Sequence, residues 1–233
     1  MGLHRAGFEV VGVDIEPQPR YPFEFRHGDA LNADLRGYDF VWASPPCHDH
    51  SRVTGRDRKA NGAKGTAWML ERTIERLAKL KVPWIVENVE GAQWPPSVFR
   101  VMLCGSMFGL DVRRHRWFAG NTAMLVPSCD HSRQRPRFRS LDSRRPGVLA
   151  CVVGVHGHTN YVGEFAIRCK AMGIDWMTND DLSQAIPPAF SEYLARAILS
   201  GRRGCGAAGD GNSGNAKLCN APGEGAARTE DAR

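Results

Sequence analysis

The 233-residue chain lacks several features that would settle its class at once. No apolar run approaches the roughly 20 residues needed to cross a bilayer, so no membrane span is expected. Met1-Gly2-Leu3-His4-Arg5 has no apolar core behind it, which excludes a secretory signal peptide. Ala6 stands where a myristoylation signal carries Ser or Thr. Seven cysteines form neither an even-numbered dense framework nor a CxxC pair, which excludes a disulfide scaffold and the commonest zinc arrangements. No internal repeat is present. These absences leave a cytosolic protein in a reducing compartment, long enough for one sizeable core, and a monomer is expected.

Negative charge is also locally scarce. Arg133, Arg135, Arg137, Arg139, Arg144 and Arg145 fall within thirteen residues, against the single acid Asp142, and the formal charge of the whole chain is +6. A second basic stretch, Arg52, Arg56, Arg58, Lys59 and Lys64, follows Cys47. Clustered cations on segments poor in apolar residues suit a polyphosphate partner, and nucleic acid is favoured over a merely solvated surface.

Residues 7–15, 39–44, 84–89, 100–104 and 116–119 read as short apolar strands. Between the second and third, Leu70, Ile74, Leu77 and Ala78 recur at helical spacing, Glu75 and Lys79 form an i,i+4 pair, and Pro83 stops the helix. Strands alternating with a helix imply parallel pairing and an α/β sandwich. In such sheets ligands sit at the carboxyl ends of the strands, where Asp14, Cys47 and Glu87 all fall. Residues 121–150 change character, with few apolar residues, many Arg and several Pro, and read as an irregular or separately folded insertion within a small region 121–172. Residues 173–200 return to the core, with Phe190, Leu194, Ala197 and Ile198 on one face of a last helix. From Gly201 the chain carries eight glycines in 33 residues and is expected to be a disordered tail.

Three short motifs carry chemistry. Pro45-Pro46-Cys47 puts a thiol on a proline-stiffened turn at a strand end, where Arg52 and Arg56 would favour the thiolate if they approached. A lone cysteine in a turn is more often structural; the reason to read this one otherwise is its place. Glu87-Asn88-Val89 puts a carboxyl at the next strand end, where a partly dry pocket would raise its pKa and let it share a proton with a base edge. Arg113-Arg114-His115-Arg116 places Arg114 and Arg116 on one face if the segment is extended, as two guanidiniums able to grip a carbonyl and a phosphate.

In order and spacing these motifs resemble the cytosine-5 DNA methyltransferase family, particularly its short phage and prophage members. The resemblance runs through residues 1 to about 200 and rests on Pro46-Cys47, Glu87-Asn88-Val89, Arg114 with Arg116, and the closing Ser183-Gln184-Ala185-Ile186-Pro187-Pro188. It implies a Rossmann-like S-adenosylmethionine-dependent sheet in residues 1–120, with 121–172 as the target-recognition region. It implies Cys47 as nucleophile, with Glu87, Arg114 and Arg116 as catalytic partners. Pro46 and Asn88 would line the base site, and Asp14, Ile15 and Asp29 the cofactor site. Double-stranded DNA is the implied partner, with the target cytosine extruded into the pocket. An inactive remnant that binds DNA, and a methyltransferase acting on RNA cytosine, remain alternatives.

The chain also departs from the family. Residues 2–6 read as the end of a helix stopped by Gly7, and nothing before them resembles the family's opening strand and Phe-x-Gly-x-Gly loop. An interior strand is therefore expected to be missing, with Met1 an internal methionine of a longer chain. His48 replaces the usual Gln after the cysteine. Cys129-x-His131 offers half a zinc site, for which Cys151 and Cys169 are further ligands in reach of sequence reasoning; no metal is expected, and Cys104 and Cys151 read as small core residues.

Overall fold

The computed structural model describes residues 1–47, 50, 65–132, 134, 138–139, 149–150, 152–155, 165–205 and 216–221. Its centre is a seven-stranded sheet built from β1 (Phe8–Asp14), β2 (Glu24–His27), β3 (Phe40–Ala43), β4 (Trp84–Asn88), β5 (Phe99–Leu103), β6 (Arg116–Gly120) and β9 (Ala216–Ala221). The order is β2-β1-β9-β3-β4-β6-β5. The first five run parallel; β6 alone is antiparallel to both of its neighbours. The remaining strands, β7 (Phe138–Arg139) and β8 (Leu149–Ala150), form a separate two-stranded ribbon within the insertion.

The interior strands read as continuous apolar runs because both of their faces are covered. Phe8, Val10, Phe40, Trp42, Ile85 and Phe118 form one core with Leu3, Phe190, Leu194, Ala195 and Ile198. These last residues come from helix α1 (Gly2–Arg5) and helix α5 (Pro188–Cys205). The two helices cross so closely that a Cβ on Gly2 would lie 2.0 Å from the carbonyl oxygen of Pro188. Gly7 follows α1 at φ +101°, the left-handed stop the sequence implied. On the other face, helix α2 (Ala67–Leu77) buries Leu70, Thr73, Ile74 and Leu77 against Val41, Trp84 and Val86.

Several expectations are corrected in detail. α2 ends at Leu77, so Ala78 is exposed and Lys79 lies past the helix; Glu75 pairs instead with Arg72, at 3.5 Å on the solvent side. On α5 the fully buried alanine is Ala195, and Ala197 is only half-buried. Strand β2 was not expected, since its residues are largely exposed and carry no apolar alternation. The insertion region is not wholly irregular: helix α3 (Phe165–Met172) and the Val153–Val155 stretch share a small core with Val112, Ile174 and Leu182, the last from helix α4 (Asn179–Gln184).

The largest correction concerns the tail and the supposedly missing strand. Residues 201–205 extend α5, and Ala216–Ala221 pairs in parallel with β1 on one side and β3 on the other. The slot between β1 and β3 is therefore filled by a segment from the far end of the chain. An unfilled slot would leave the facing N–H and C=O groups of β1 and β3 without partners, which gives even a segment with little apolar pattern a strong reason to pair there.

This placement is testable. Leu218 lies opposite Val10 of β1 and Phe40 of β3. Leu218→Pro removes an interior ladder donor and should lower unfolding free energy by about 1–3 kcal/mol in urea titration. Unchanged stability would mean that the strand contributes nothing to the sheet.

Candidate functional site

Because β1, β9, β3 and β4 run parallel, their carboxyl ends open on one edge of the sheet. Two clefts lie there, of about 130 Å³ and about 250 Å³. They share a wall made by Trp42, Ser44, Pro45 and Pro46, the turn that leaves β3.

The smaller cleft gathers Asp14, Ile15 and Asp29, with Leu31, Leu35, Val41 and Leu77 as apolar lining. Asp14 ends β1 and is buried, and its carboxylate accepts from the backbone N–H of Glu16 at 2.8 Å. Ile15, at the mouth, is 55% exposed. Asp29 caps its own loop, accepting from Leu31 N–H at 2.8 Å and Asn32 Nδ2 at 2.7 Å. Arg76 of α2 ties this loop down by donating to the carbonyls of Ala30 (2.6 Å) and Ala33. Sequence reasoning missed Arg76, whose role appears only once α2 lies across the loop. A buried acid for hydroxyls, apolar walls and an exposed isoleucine suit a nucleoside, so the residues present fit the adenosine part of S-adenosylmethionine.

The larger cleft brings together Cys47, Glu87 and Arg116. Glu87 is the penultimate residue of β4, and Arg116 opens β6, its neighbour in the sheet. Arg116 Nε lies 3.1 Å from Glu87 Oε1, and its Nη1 donates to the His115 carbonyl at 3.0 Å. Burial pushes the Glu87 carboxyl above its usual range, and the guanidiniums of Arg116 and Arg114, with a hydrogen bond from Ser44, pull the other way. Ser44 in turn accepts from Trp42 Nε1 at 3.2 Å, so it is a positioning residue that the motifs did not reveal. Asn88 is fully buried and donates through Nδ2 to the Pro45 carbonyl at 3.2 Å. It fixes the proline turn, while Pro46 walls both clefts.

The Cys47 thiol is free and half-buried. Burial raises its pKa above 9.0, and the Glu87 charge adds to this; Arg116 and Arg114 lower it, without reversing the direction. The thiol is therefore protonated at rest at neutral pH. Arg52 and Arg56, expected to favour the thiolate, lie outside the described residues, as do His48, Arg58, Lys59, Lys64, Arg133, Arg135, Arg137, Arg144, Arg145 and Cys151.

Arg114 departs from the expected geometry. It precedes β6 rather than lying on it, and its φ of +31° is in the left-handed region. It therefore does not share an extended face with Arg116. Its guanidinium is buried and donates from Nη1 to the Val155 carbonyl (2.8 Å) and from Nη2 to the Ser183 carbonyl (2.7 Å). It thus ties the insertion, through Val155, to the C-terminal end of α4, through Ser183, while its charge still reaches Glu87 and Cys47.

No family model matches the chain, and no curated protein matches it in sequence. Among solved structures it is similar to the Dnmt2 methyltransferase of S. pombe, with a TM-score of 0.53 at 13% identity over 86% of this chain and 94% of that one. It also aligns with the methyltransferase EhMeth of Entamoeba histolytica, at a TM-score of 0.47 and 10% identity over 84% and 99% of the two chains. The chain has the Rossmann-like α/β fold of S-adenosylmethionine-dependent methyltransferases. Among the described residues no helix is long and apolar enough to cross a membrane.

The thiol's raised pKa fixes a sign. Only the thiolate is alkylated, so the rate of Cys47 modification by iodoacetamide should climb with pH through 9.0 and level off only above it. Arg116→Ala removes an influence that lowers the pKa, so it should slow modification further at neutral pH. Peptide mass spectrometry of the alkylated site checks both; a plateau below 9.0 would contradict the burial-dominated environment.

Proposed function

We propose that the chain transfers a methyl group from S-adenosylmethionine to carbon 5 of cytosine in duplex DNA, with Cys47 as the nucleophile. One observation carries the reading. Cys47, Glu87 and Arg116 come from three separate stretches of chain, line one cleft, and share the Ser44–Pro46 wall with the cleft that holds Asp14, Ile15 and Asp29. A nucleophile and its acid partner on one side of a thin wall, and a nucleoside site on the other, suit a reaction between a base and a nucleoside-bearing donor.

Cytosine carbon 5 is a weak nucleophile until a thiolate adds at carbon 6. Cys47 loses its proton to solvent as its sulfur bonds to carbon 6. Glu87, whose buried carboxyl holds a proton more firmly than an exposed one, hydrogen-bonds ring nitrogen 3 and draws electron density from the ring. Arg116 orients that carboxyl and offers a guanidinium to the base carbonyl. S-adenosylmethionine, which Asp14, Ile15 and Asp29 would hold, would supply the methyl group to the electron pair at carbon 5, its sulfonium S–CH3 bond breaking to leave a neutral thioether. Water then removes the carbon 5 proton, the ring double bond re-forms, and Cys47 leaves as thiolate. The basic stretches at 52–64 and 133–145 would hold the phosphates, a salt-dependent contribution without sequence information.

Methyl transfer from labelled cofactor to duplex DNA tests this. Cys47→Ala should abolish transfer, and Glu87→Gln should slow it by roughly 10²–10⁴. Transfer to RNA but not to DNA would move the substrate class while keeping the chemistry. Transfer that survives Cys47→Ala would overturn the proposed nucleophile.

A further inference from the structure

Four side chains that the methyl-transfer site does not use converge where the insertion leaves the sheet. Cys104 follows β5, His115 precedes β6, and Cys129 and His131 lie where the insertion begins. One ligand atom from each of the four lies within 4.8 Å of every other. Cys129 Sγ is 3.1 Å from His131 Nε2 and 3.5 Å from His115 Nε2, and Cys104 Sγ is 3.3 Å from His131 Nε2. The His115 and His131 rings stack, with centroids 5.3 Å apart and planes at 12°.

These separations suit one metal. Zn–S of about 2.3 Å and Zn–N of about 2.0–2.1 Å place the corners of a tetrahedron about 3.3–3.8 Å apart. Two thiolates and two imidazoles select zinc over hard cations such as calcium or magnesium. The surroundings hold the ligands in place. Gly105 N–H donates to the Arg113 carbonyl at 2.8 Å, pinning the Cys104 end beside the approach to His115. The fit there is tight, since a Cβ on Gly105 would lie 1.8 Å from the Val112 carbonyl oxygen. Arg113 Nε donates to Gln134 at 2.9 Å, just past His131. Ser106 Oγ lies 3.2 Å from Cys104 Sγ and 3.7 Å from Cys129 Sγ, placed to donate to a thiolate as the outer partners of metal ligands do.

We propose that Cys104, His115, Cys129 and His131 form a structural zinc site that fastens the insertion to the β5–β6 edge of the sheet. All four positions are filled by protein, so the ion has no open coordination position and takes no part in chemistry. It would hold His115, the residue between Arg114 and Arg116, and so fix both arginines relative to the cleft. The inference is independent of the proposed methyl transfer, since it concerns residues outside that cleft. It departs from the expectation of no metal and takes Cys104 and His115, rather than Cys151 and Cys169, as the further ligands.

The full chain, purified without chelator, is assayed by metal analysis and by native mass spectrometry. One zinc per chain is expected, and cobalt in its place should give the strong ligand-field absorption of a tetrahedral thiolate site. Cys104 and Cys129 should resist alkylation until a chelator is added. Cys129→Ser and His131→Ala should lose the ion, whereas Cys47→Ala should keep it. Should those variants fail to fold, the wild-type stoichiometry and alkylation pattern still decide. A metal-free chain with both thiols reactive, or a Cys104–Cys129 disulfide, would overturn the site.

Discussion

Everything at the functional edge depends on the parallel ladder through β1, β9, β3 and β4. Strands in one sheet lie about 4.7–4.9 Å apart, so β1 and β3, with β9 between them, stand roughly 9–10 Å from each other. At that spacing their carboxyl ends can carry two adjoining clefts divided by a single turn. Asp14 is fixed on one side because β1 ends there, and Cys47 on the other because Pro45 and Pro46 redirect the chain leaving β3. The antiparallel β6 then brings Arg116 beside Glu87 from the opposite direction, which no parallel neighbour could do with a residue at its beginning. The reactive arrangement is thus a consequence of strand direction before it is one of side-chain chemistry.

That geometry leaves Cys47 in an environment that disfavours its charge. Burial and the Glu87 carboxylate both work against the thiolate, and two arginines only partly offset them. Such a thiol is protected from adventitious reaction at rest, because the thiolate is the nucleophile. In the proposed reaction it acts when a bound base supplies an acceptor for the sulfur and Glu87 engages the ring. The arginines have divided labour: Arg116 is paired with Glu87 in the cleft, whereas Arg114 gives its guanidinium to the Val155 and Ser183 carbonyls. The insertion is consequently tied, through Arg114, to the short segment that also carries Arg116, the partner of Glu87.

The strands bearing the motifs were legible because they are buried on both faces and their apolar runs are bounded by prolines and acids. Cys47, Glu87 and Asp14 stand out for the same reason: a polar residue at the end of such a run has few structural uses; Asp29, which follows the exposed strand β2, was indicated only by the family resemblance. Strand β9 was not legible, since Ala216–Ala221 sits in a glycine- and asparagine-rich stretch, and only the vacancy between β1 and β3 gives it a place. Arg114 was misplaced because alternation holds only on extended backbone, and its φ of +31° breaks the alternation two residues before β6 begins. The four-residue metal cluster was half visible as Cys129-x-His131. Its other half, Cys104 and His115, comes within reach only when β5 and β6 pair, so no local spacing could have announced it.

The central claim is that Cys47 forms a covalent bond to carbon 6 of the target cytosine. It is tested most directly by incubating the protein and S-adenosylmethionine with duplex DNA containing 5-fluorocytosine, whose fluorine blocks release, and then digesting and sequencing the adduct by mass spectrometry. The account predicts one cross-linked peptide, carrying the modified base on Cys47. A stable adduct mapped to another residue, or methylation of the ordinary duplex with no adduct on the fluorinated one, would contradict it.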